Sequence, residues 1–340
     1  MKDVINAIEL WQEDGAPVAL ATVVQTWGSA PRQIGAKMAL TPDGRLSGSV
    51  SGGCVEGAVF DEGVEALAQQ RPRLLHFGVA DETAWDVGLA CGGTIEVFVE
   101  PLDTAVFAFM RDLIQRDEAG AAITVIRGPE GTLGRKLAVS RAGGQVGTLG
   151  DVALDEQAAA AAQRAVHSHR EQLTDEVEVF LDVVRPAPRL VMVGGVHIAV
   201  ALTSLAKTLG YHTTVVDPRR AFGSVERFPH VEELIQAWPD EAFAQVELTP
   251  ETAVALLTHD PKIDDPALKI ILEKPVFYVG ALGSRKTHAK RVERLRGYGF
   301  SEAQIARIHG PIGLDIGAST PEEIALSILA QIVKIRAEAA

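Results

Sequence analysis

Cys54 and Cys91 are the chain's two cysteines, and each sits beside a glycine pair: Gly52-Gly53-Cys54-Val55-Glu56 and Ala90-Cys91-Gly92-Gly93. Glycine pairs let a backbone approach a ligand closely. A thiol at a helix start has its thiolate stabilised by free amides and becomes a nucleophile or a soft metal donor. Cys54 fits that description better, because apolar Val55, Val59, Val64 and Leu67 predict a helix from Val55 to about Gln69, whereas Cys91 precedes a glycine pair entering a strand. Two cysteines are too few for a disulfide framework or a four-thiolate zinc site, so their role is local chemistry. The competing reading is two small hydrophobes in tight turns. A further turn, Trp27-Gly28-Ser29-Ala30-Pro31-Arg32, ends in a fork-shaped cation; Arg32 and Lys37 either offset negative charge locally or are ordinary solvated cations.

The second half carries another set. Strand 191–193 runs into Gly194-Gly195-Val196-His197 and a helix, and Asp217 follows at the end of the next strand, where a dinucleotide fold keeps its ribose-binding acid. Val196 stands where a second glycine would admit pyrophosphate, so tight NAD(P) binding is not expected. Asp217 then reads equally as a turn carboxylate. Thr258-His259-Asp260-Pro261 comes directly after an apolar strand, where ligands enter such sheets; His259 beside Asp260 suits proton transfer or polarised hydrogen bonding, unless Asp260 is simply a cap. Gly283-Ser284-Arg285-Lys286 combines a glycine turn, a capping serine and two cations that would hold an anion such as phosphate, or cap a surface helix. Gly310 to Gly317 is too apolar for an idle surface loop and is expected to pack over the same crevice.

The elements that must position these residues read as follows. A helix over 4–11 is stopped by Gly15 and Pro17; strands follow over 18–24, 35–40 and 45–50, the last two joined at Pro42-Asp43-Gly44. Strands are expected over 73–79, 94–100, 123–126, 136–139 and 176–184, with Ile95, Val97 and Val99 on one face. Helices are expected over 104–117 and, rich in alanine, 153–169. No internal repeat is visible. Arg185-Pro186-Ala187-Pro188-Arg189 has the composition of a stiff connector, giving domains 1–184 and 190–340. Beyond it, strands over 190–193, 213–216, 253–258 and 276–279 alternate with helices, which predicts a parallel sheet covered on both faces. A last helix over 321–336 opens with Thr320, Pro321 and Glu323 in the pattern of a capping box.

Composition limits the function. At 340 residues and 47% hydrophobic, the chain is long enough for about two folded domains and too apolar for global disorder. Thirty-two basic against 45 acidic residues give a net charge of −13, which repels phosphate backbones and anionic lipid, so nucleic acid and membrane surfaces are poor partners. Lys2, Asp3, Glu9, Glu13 and Asp14 leave no apolar core for export, and a cytoplasmic location is expected.

Taken together, these segments resemble the xanthine dehydrogenase accessory factor family, of the XdhC/CoxI type, over nearly the whole chain. The resemblance rests on Gly28 to Arg32, Gly48 to Glu56 and Gly88 to Gly93 in the first half. In the second it rests on Val216-Asp217-Pro218-Arg219, Thr258-His259-Asp260, Tyr278 to Arg285 and Pro311 to Gly317. The family commonly has Gly-Ala-Gly-His where this chain has Gly194-Gly195-Val196-His197. The implied fold is α/β, a mixed α+β N-terminal domain followed by a Rossmann-like parallel α/β domain. The implied function is that of a non-catalytic chaperone: it binds molybdenum cofactor (molybdopterin), protects it during sulfuration by a cysteine desulfurase, and helps insert it into a molybdenum hydroxylase such as xanthine dehydrogenase. A homodimer is compatible with that role. Carried over, Arg32, Gly52, Gly53, Cys54, Glu56, Cys91, Gly92, Gly93, His197, Asp217, His259, Asp260, Ser284, Arg285 and Lys286 are candidate cofactor-binding residues, with Cys54 as a molybdenum contact. The alternatives are an NAD(P)-dependent oxidoreductase using the C-terminal domain, or a structural subunit without a ligand.

Overall fold

The computed structural model describes residues 1, 3–30, 32–78 and 93–338. The chain divides into two units, Met1–Pro186 and Ala187–Ala340. The first begins with α1 (Ile5–Glu13), β1 (Ala19–Trp27), β2 (Lys37–Leu40), β3 (Leu46–Gly48), α2 (Glu56–Gln69), β4 (Arg73–Phe77) and β5 (Thr94–Pro101). It continues with α3 (Thr104–Gln115), β6 (Gly120–Arg127), β7 (Lys136–Ser140), β8 (Gln145–Thr148), α4 (Val152–Arg164), β9 (His169–Gln172) and β10 (Glu178–Val184). The two runs of elements have the same order, and so do the two antiparallel sheets they build: β3-β2-β1-β5-β4 and β8-β7-β6-β10-β9. The register matches residue by residue. Thr22 lies opposite Lys37 and Phe98, and Thr124 lies opposite Lys136 and Phe180. This is an internal duplication, which the sequence reading does not contain.

Period-two alternation accounts for one face of each sheet. Ala21, Val23, Ile95, Val97 and Val99 pack under α2 with Val59, Ala66 and Leu67, and Ile123, Val125, Leu137 and Val179 pack under α4. The opposite face, which alternation alone would give to water, is covered by the other sheet. Val24, Phe98, Ile126 and Phe180 form a core there, with three buried charges, Lys37, Glu100 and Asp182, and the largely buried Lys136 beside it. Lys37 Nζ lies 2.9 Å from Asp182 Oδ2 and 3.1 Å from Thr22 Oγ1; Lys136 Nζ lies 2.7 Å from Glu100 Oε1 and 2.6 Å from Thr124 Oγ1. Each half thus gives the other a carboxylate and receives one, the reciprocity of an isologous interface. Lys37, for which the sequence left open a local charge partner or a solvated cation, is 3% exposed and paired with Asp182 across the gap.

The alanine-rich helix ends at Arg164, five residues before its expected limit, and His169–Gln172 pair with β10 instead. Sheet pairing there overrides alanine's helix preference.

The second unit contains β11 (Arg189–Val193), α5 (His197–Thr208), β12 (His212–Val216), β13 (Glu233–Ile235), α6 (Pro239–Ala242), β14 (Thr252–Leu256), α7 (Pro261–Ile271), β15 (Tyr278–Ala281), α8 (Arg285–Gly297), α9 (Glu302–Ile305), β16 (Ile308–His309) and α10 (Pro321–Glu338). Its six strands are parallel in the order β13-β12-β11-β14-β15-β16. Val191, Val193, Val254 and Leu256 pack under α7 and α8, while Leu190, Met192, Ala253 and Ala255 pack under α5 and α10. Both faces are therefore covered, as the unbroken apolar strands require. The capping box of α10 forms: the Thr320 hydroxyl accepts from Glu323 N and the Glu323 carboxylate accepts from Thr320 N. Among the described residues no helix is long and apolar enough to cross a membrane.

Replacing Lys136 by Met should strand the buried Glu100 carboxylate. Urea unfolding should then show a loss of about 3–5 kcal/mol, whereas Lys136→Met with Glu100→Leu should recover most of it.

Candidate functional site

Two sequence motifs, and Gly93 from a third, meet in the first unit. The Arg32 guanidinium donates from Nε to the Ser49 carbonyl (3.2 Å) and from Nη2 to Asp3 (3.2 Å), lashing the 27–32 turn to the loop before α2. Just before β5, a Cβ on Gly93 would stand 2.6 Å from the Ser29 carbonyl oxygen, so the glycine is what lets this strand start beside the same turn. Cys91, Gly92 and the rest of 79–92 lie outside the described residues, as does Pro31.

Glu56 organises the loop that carries Cys54. Its Oε1 accepts from Ser49 Oγ (2.6 Å) and the amides of Val50 (3.2 Å) and Ser51 (2.8 Å); its Oε2 accepts from Ser51 Oγ and the Gly53 amide (2.8 Å). Burial resists ionisation of Glu56, but the hydrogen bonds from Ser49 and Ser51 outweigh it and hold the carboxyl down to about 2. With both oxygens engaged, Glu56 positions the loop. Gly52 N goes to Ser49 Oγ and Val55 N to Ser51 Oγ. Cys54 stands exposed one residue before the helix cap Val55. Of the amides at the helix start, that of Val55 is taken by Ser51 Oγ, and Cys54 offers an accessible soft sulfur beside it.

The second half shows what the fold alone requires at this place. Asp155 accepts from Thr148 Oγ1 and Leu149 N, both at 2.6 Å, across the same seven-residue spacing that separates Ser49 from Glu56. Between them, Val152 to Leu154 already form the first turn of α4, capped by Asp151, whose side chain accepts from Leu154 N. The counterparts Gly53 to Val55 are unwound, with Gly52 at φ 78° and Gly53 at φ 117°. Only glycine adopts such angles cheaply. The fold does not need this turn, since the other half closes without it.

In the second unit, sheet order sets the remaining candidates in a row along the carboxyl edge: Asp217 after β12, Gly194 to His197 after β11, His259 and Asp260 after β14, and Ser284 to Lys286 after β15. Strand order reverses between β11 and β14, the place where such sheets bind ligands. Asp217 is fully buried and accepts from Gly195 N (2.7 Å), Arg219 N (2.9 Å) and Arg219 Nε and Nη2 (2.9 and 2.8 Å). Burial pushes its carboxyl up, and Arg219 more than reverses that. Arg219 also stacks on Phe222, 4.1 Å from the ring centre. A Cβ on Gly195 would collide with the Phe222 carbonyl, so the close approach this glycine permits is made by the chain's own 218–224 loop. The sequence reading quoted Arg219 without assigning it a role; the Asp-x-Arg spacing is the signal that finds it.

His197 is exposed at the start of α5. His259 is exposed and held at φ 49°, an uncommon angle for a residue with a side chain. Asp260 caps α7 through Lys262 N (2.9 Å), and Ser284 caps α8 through Thr287 N (3.2 Å). Arg285 and Lys286 are exposed and form no ion pair among the described residues. No group of three or more His, Cys, Asp or Glu among the described residues could hold a metal ion unaided.

A duplicated antiparallel unit bearing an exposed thiol turn, joined in one chain to a doubly wound parallel unit with two exposed cations at its carboxyl edge, defines a two-unit α/β class. Residues 190–332 match the XdhC Rossmann domain, and residues 11–78 match the XdhC and CoxI family. A Bacillus subtilis (strain 168) protein named as a probable xanthine dehydrogenase subunit is 31% identical over 95% of this chain and 94% of that one. The molybdenum cofactor insertion chaperone PaoD of Escherichia coli (strain K12) is 30% identical over 95% of this chain and 84% of that one. A solved chain described as a xanthine dehydrogenase, from Bacillus halodurans, superposes with a TM-score of 0.75 at 25% identity, covering 99% of this chain and 97% of that chain. The chain belongs to the XdhC/CoxI family.

Two outcomes follow from the loop. Substituting Ser51 to Val55 by their counterparts (Ser51→Gly, Gly52→Asp, Gly53→Val, Cys54→Ala, Val55→Leu) should leave a folded protein whose Tm lies within about 4 °C of the parent, checked by calorimetry. Glu56 titrates below its ordinary 4.5 in the folded state, so its contribution to stability is complete above 4.5 and is lost as pH falls toward about 2. Glu56→Gln should therefore be less stable than the parent at neutral pH, and denaturant curves should show that difference shrinking across this window.

Proposed function

We propose that this chain is a non-catalytic chaperone for molybdenum cofactor: it binds the cofactor as cargo, shelters it while a cysteine desulfurase sulfurates it, and promotes its insertion into a molybdenum hydroxylase of the xanthine dehydrogenase type. The observation that carries the reading is the unwound turn at Cys54. A helix turn has been given up there to expose a soft donor and close-approach backbone, in a place where the duplicate half keeps an ordinary helix. The relationship to a protein named as a molybdenum cofactor insertion chaperone supports it.

The donor chemistry fits such a cargo. Molybdopterin offers a sulfur-bound metal for a thiol, a phosphate for amides and cations, and a polar pterin for hydrogen bonding. Cys54 would meet the metal. As a separate candidate surface, the edge of the second unit offers Arg285 and Lys286, which form no ion pair among the described residues, to an anionic group, with His259 and His197 as further polar contacts on that edge. NAD(P) suits this edge poorly, because Asp217 is committed to Arg219 and Gly195, and the Phe222 carbonyl fills the approach at Gly195.

The test is to produce the protein in cells able to make the cofactor, purify it gently, and assay molybdenum and pterin. Near one pterin per chain is expected. Cys54→Ser should keep the fold while lowering molybdenum retention and client activation, and Arg285→Ala with Lys286→Ala should lower pterin retention further at raised salt. Parent protein free of pterin, together with saturable micromolar NADH binding, would turn the reading toward an oxidoreductase.

A further inference from the structure

Beneath the loops of the parallel sheet lies an arginine that spends only part of its bonding capacity. Arg291, on α8, is 1% exposed, and its Nε and Nη1 are buried with no hydrogen-bond partner among the described residues. Nη2 donates to the Leu282 carbonyl at 2.9 Å and lies 3.3 Å from Asp264 Oδ2. Asp264, on α7 and also 1% exposed, accepts from the Thr258 hydroxyl through Oδ1, and Thr258 Oγ1 in turn accepts from the Asp260 amide at 3.2 Å. An unbroken chain of polar contacts therefore runs from Leu282 through Arg291, Asp264 and Thr258 to Asp260.

A site that needed only volume would hold a hydrocarbon side chain, because a guanidinium with two unpaired buried nitrogens is a net burden on folding. What arginine supplies and a hydrocarbon cannot is a bond to the loop leaving β15, at Leu282, together with one to Asp264, which in turn holds Thr258 in the loop leaving the neighbouring strand β14. We infer that Arg291 is a positioning residue which, with Asp264, fixes the Thr258–Asp260 turn and the Leu282–Lys286 turn as one platform. His259 and the Arg285/Lys286 pair are thereby presented at a set spacing. The unusual backbone angle of His259 is held on both sides by this chain, through Thr258 and Asp260. One turn earlier on α8, His288 packs against Gly310, where an added Cβ would collide with the ring, so the same helix also abuts the 310–317 loop. The use of the platform for an anionic cargo rests on the function proposed above; the tie itself does not.

The experiment uses the full chain. Arg291→Met with Asp264→Leu removes both charges together, leaving neither stranded. Hydrogen exchange read by peptide should become at least about fivefold faster in the segments spanning 258–262 and 282–287, with β11, β14 and β15 as protected as in the parent. Molybdopterin retained from cofactor-producing cells should fall at least about fivefold. Unchanged exchange in the two loops, or faster exchange spread through the sheet, would show ordinary core packing and overturn the inference. Should the double variant not fold, Thr258→Val is read in its place: it removes the hydroxyl that joins Asp264 to the Asp260 amide and leaves the Arg291–Asp264 pair intact, so the 258–262 peptide, and not the sheet, should loosen. Loosened loops with parental molybdopterin content would uphold the tie while counting against the cargo site.

Discussion

An ammonium group taken out of water must meet a carboxylate, and in the first unit that requirement is met twice, each time across the gap between two sheets. Lys37 reaches Asp182 and Lys136 reaches Glu100. Because side chains alternate along a strand, a slip of one residue in β2 or β7 would turn its lysine away from this gap, so the pairs fix register as well as spacing. The constraint extends to the candidate site. The Lys37 carbonyl accepts from the Ser49 amide, Ser49 binds Glu56, and Glu56 holds the turn on which Cys54 is exposed.

The two units use charge differently. In the first, buried pairs are structural and the loop carboxylate Glu56 is fully engaged. In the second, Asp217 is neutralised by Arg219 while Arg285 and Lys286 form no ion pair among the described residues, so the carboxyl edge carries cationic groups on a protein whose net charge is −13. Under the function proposed above, these cations on an acidic protein would favour a compact phosphate over an extended polyanion, which the rest of the surface repels.

Much of this was legible in the chain itself because the signals are local. Alternation in Thr94–Pro101, the apolar strands before Gly194 and Thr258, and the Thr320/Glu323 box each lie within a few residues, and each forms. Motifs far apart in the sequence were also read together, and the sheet order places the second set along one edge. What escaped depends on distant contacts. Lys37 looks like any surface cation until the second sheet covers it. Glu96, Phe98 and Glu100 look like a solvated face for the same reason. The strand His169–Gln172 has poor strand character and exists because Glu178–Leu181 lies beside it. Arg291 and Asp264, 27 residues apart on two helices, carry no local mark of their pairing. The duplication escaped because its halves share roles more than letters: Glu100 answers to Asp182, Ser49 to Thr148, and Glu56 to Asp155.

That duplication has a consequence for how such a protein can change. Two separate identical subunits must carry every substitution twice, so a costly unwound helix start would burden both members of the pair. Once the two copies share one reading frame, they mutate independently. One can hold the geometry while the other gives up a turn of helix to chemistry, and the scaffold keeps in its unused half a second helix start of known shape on which another such turn could arise.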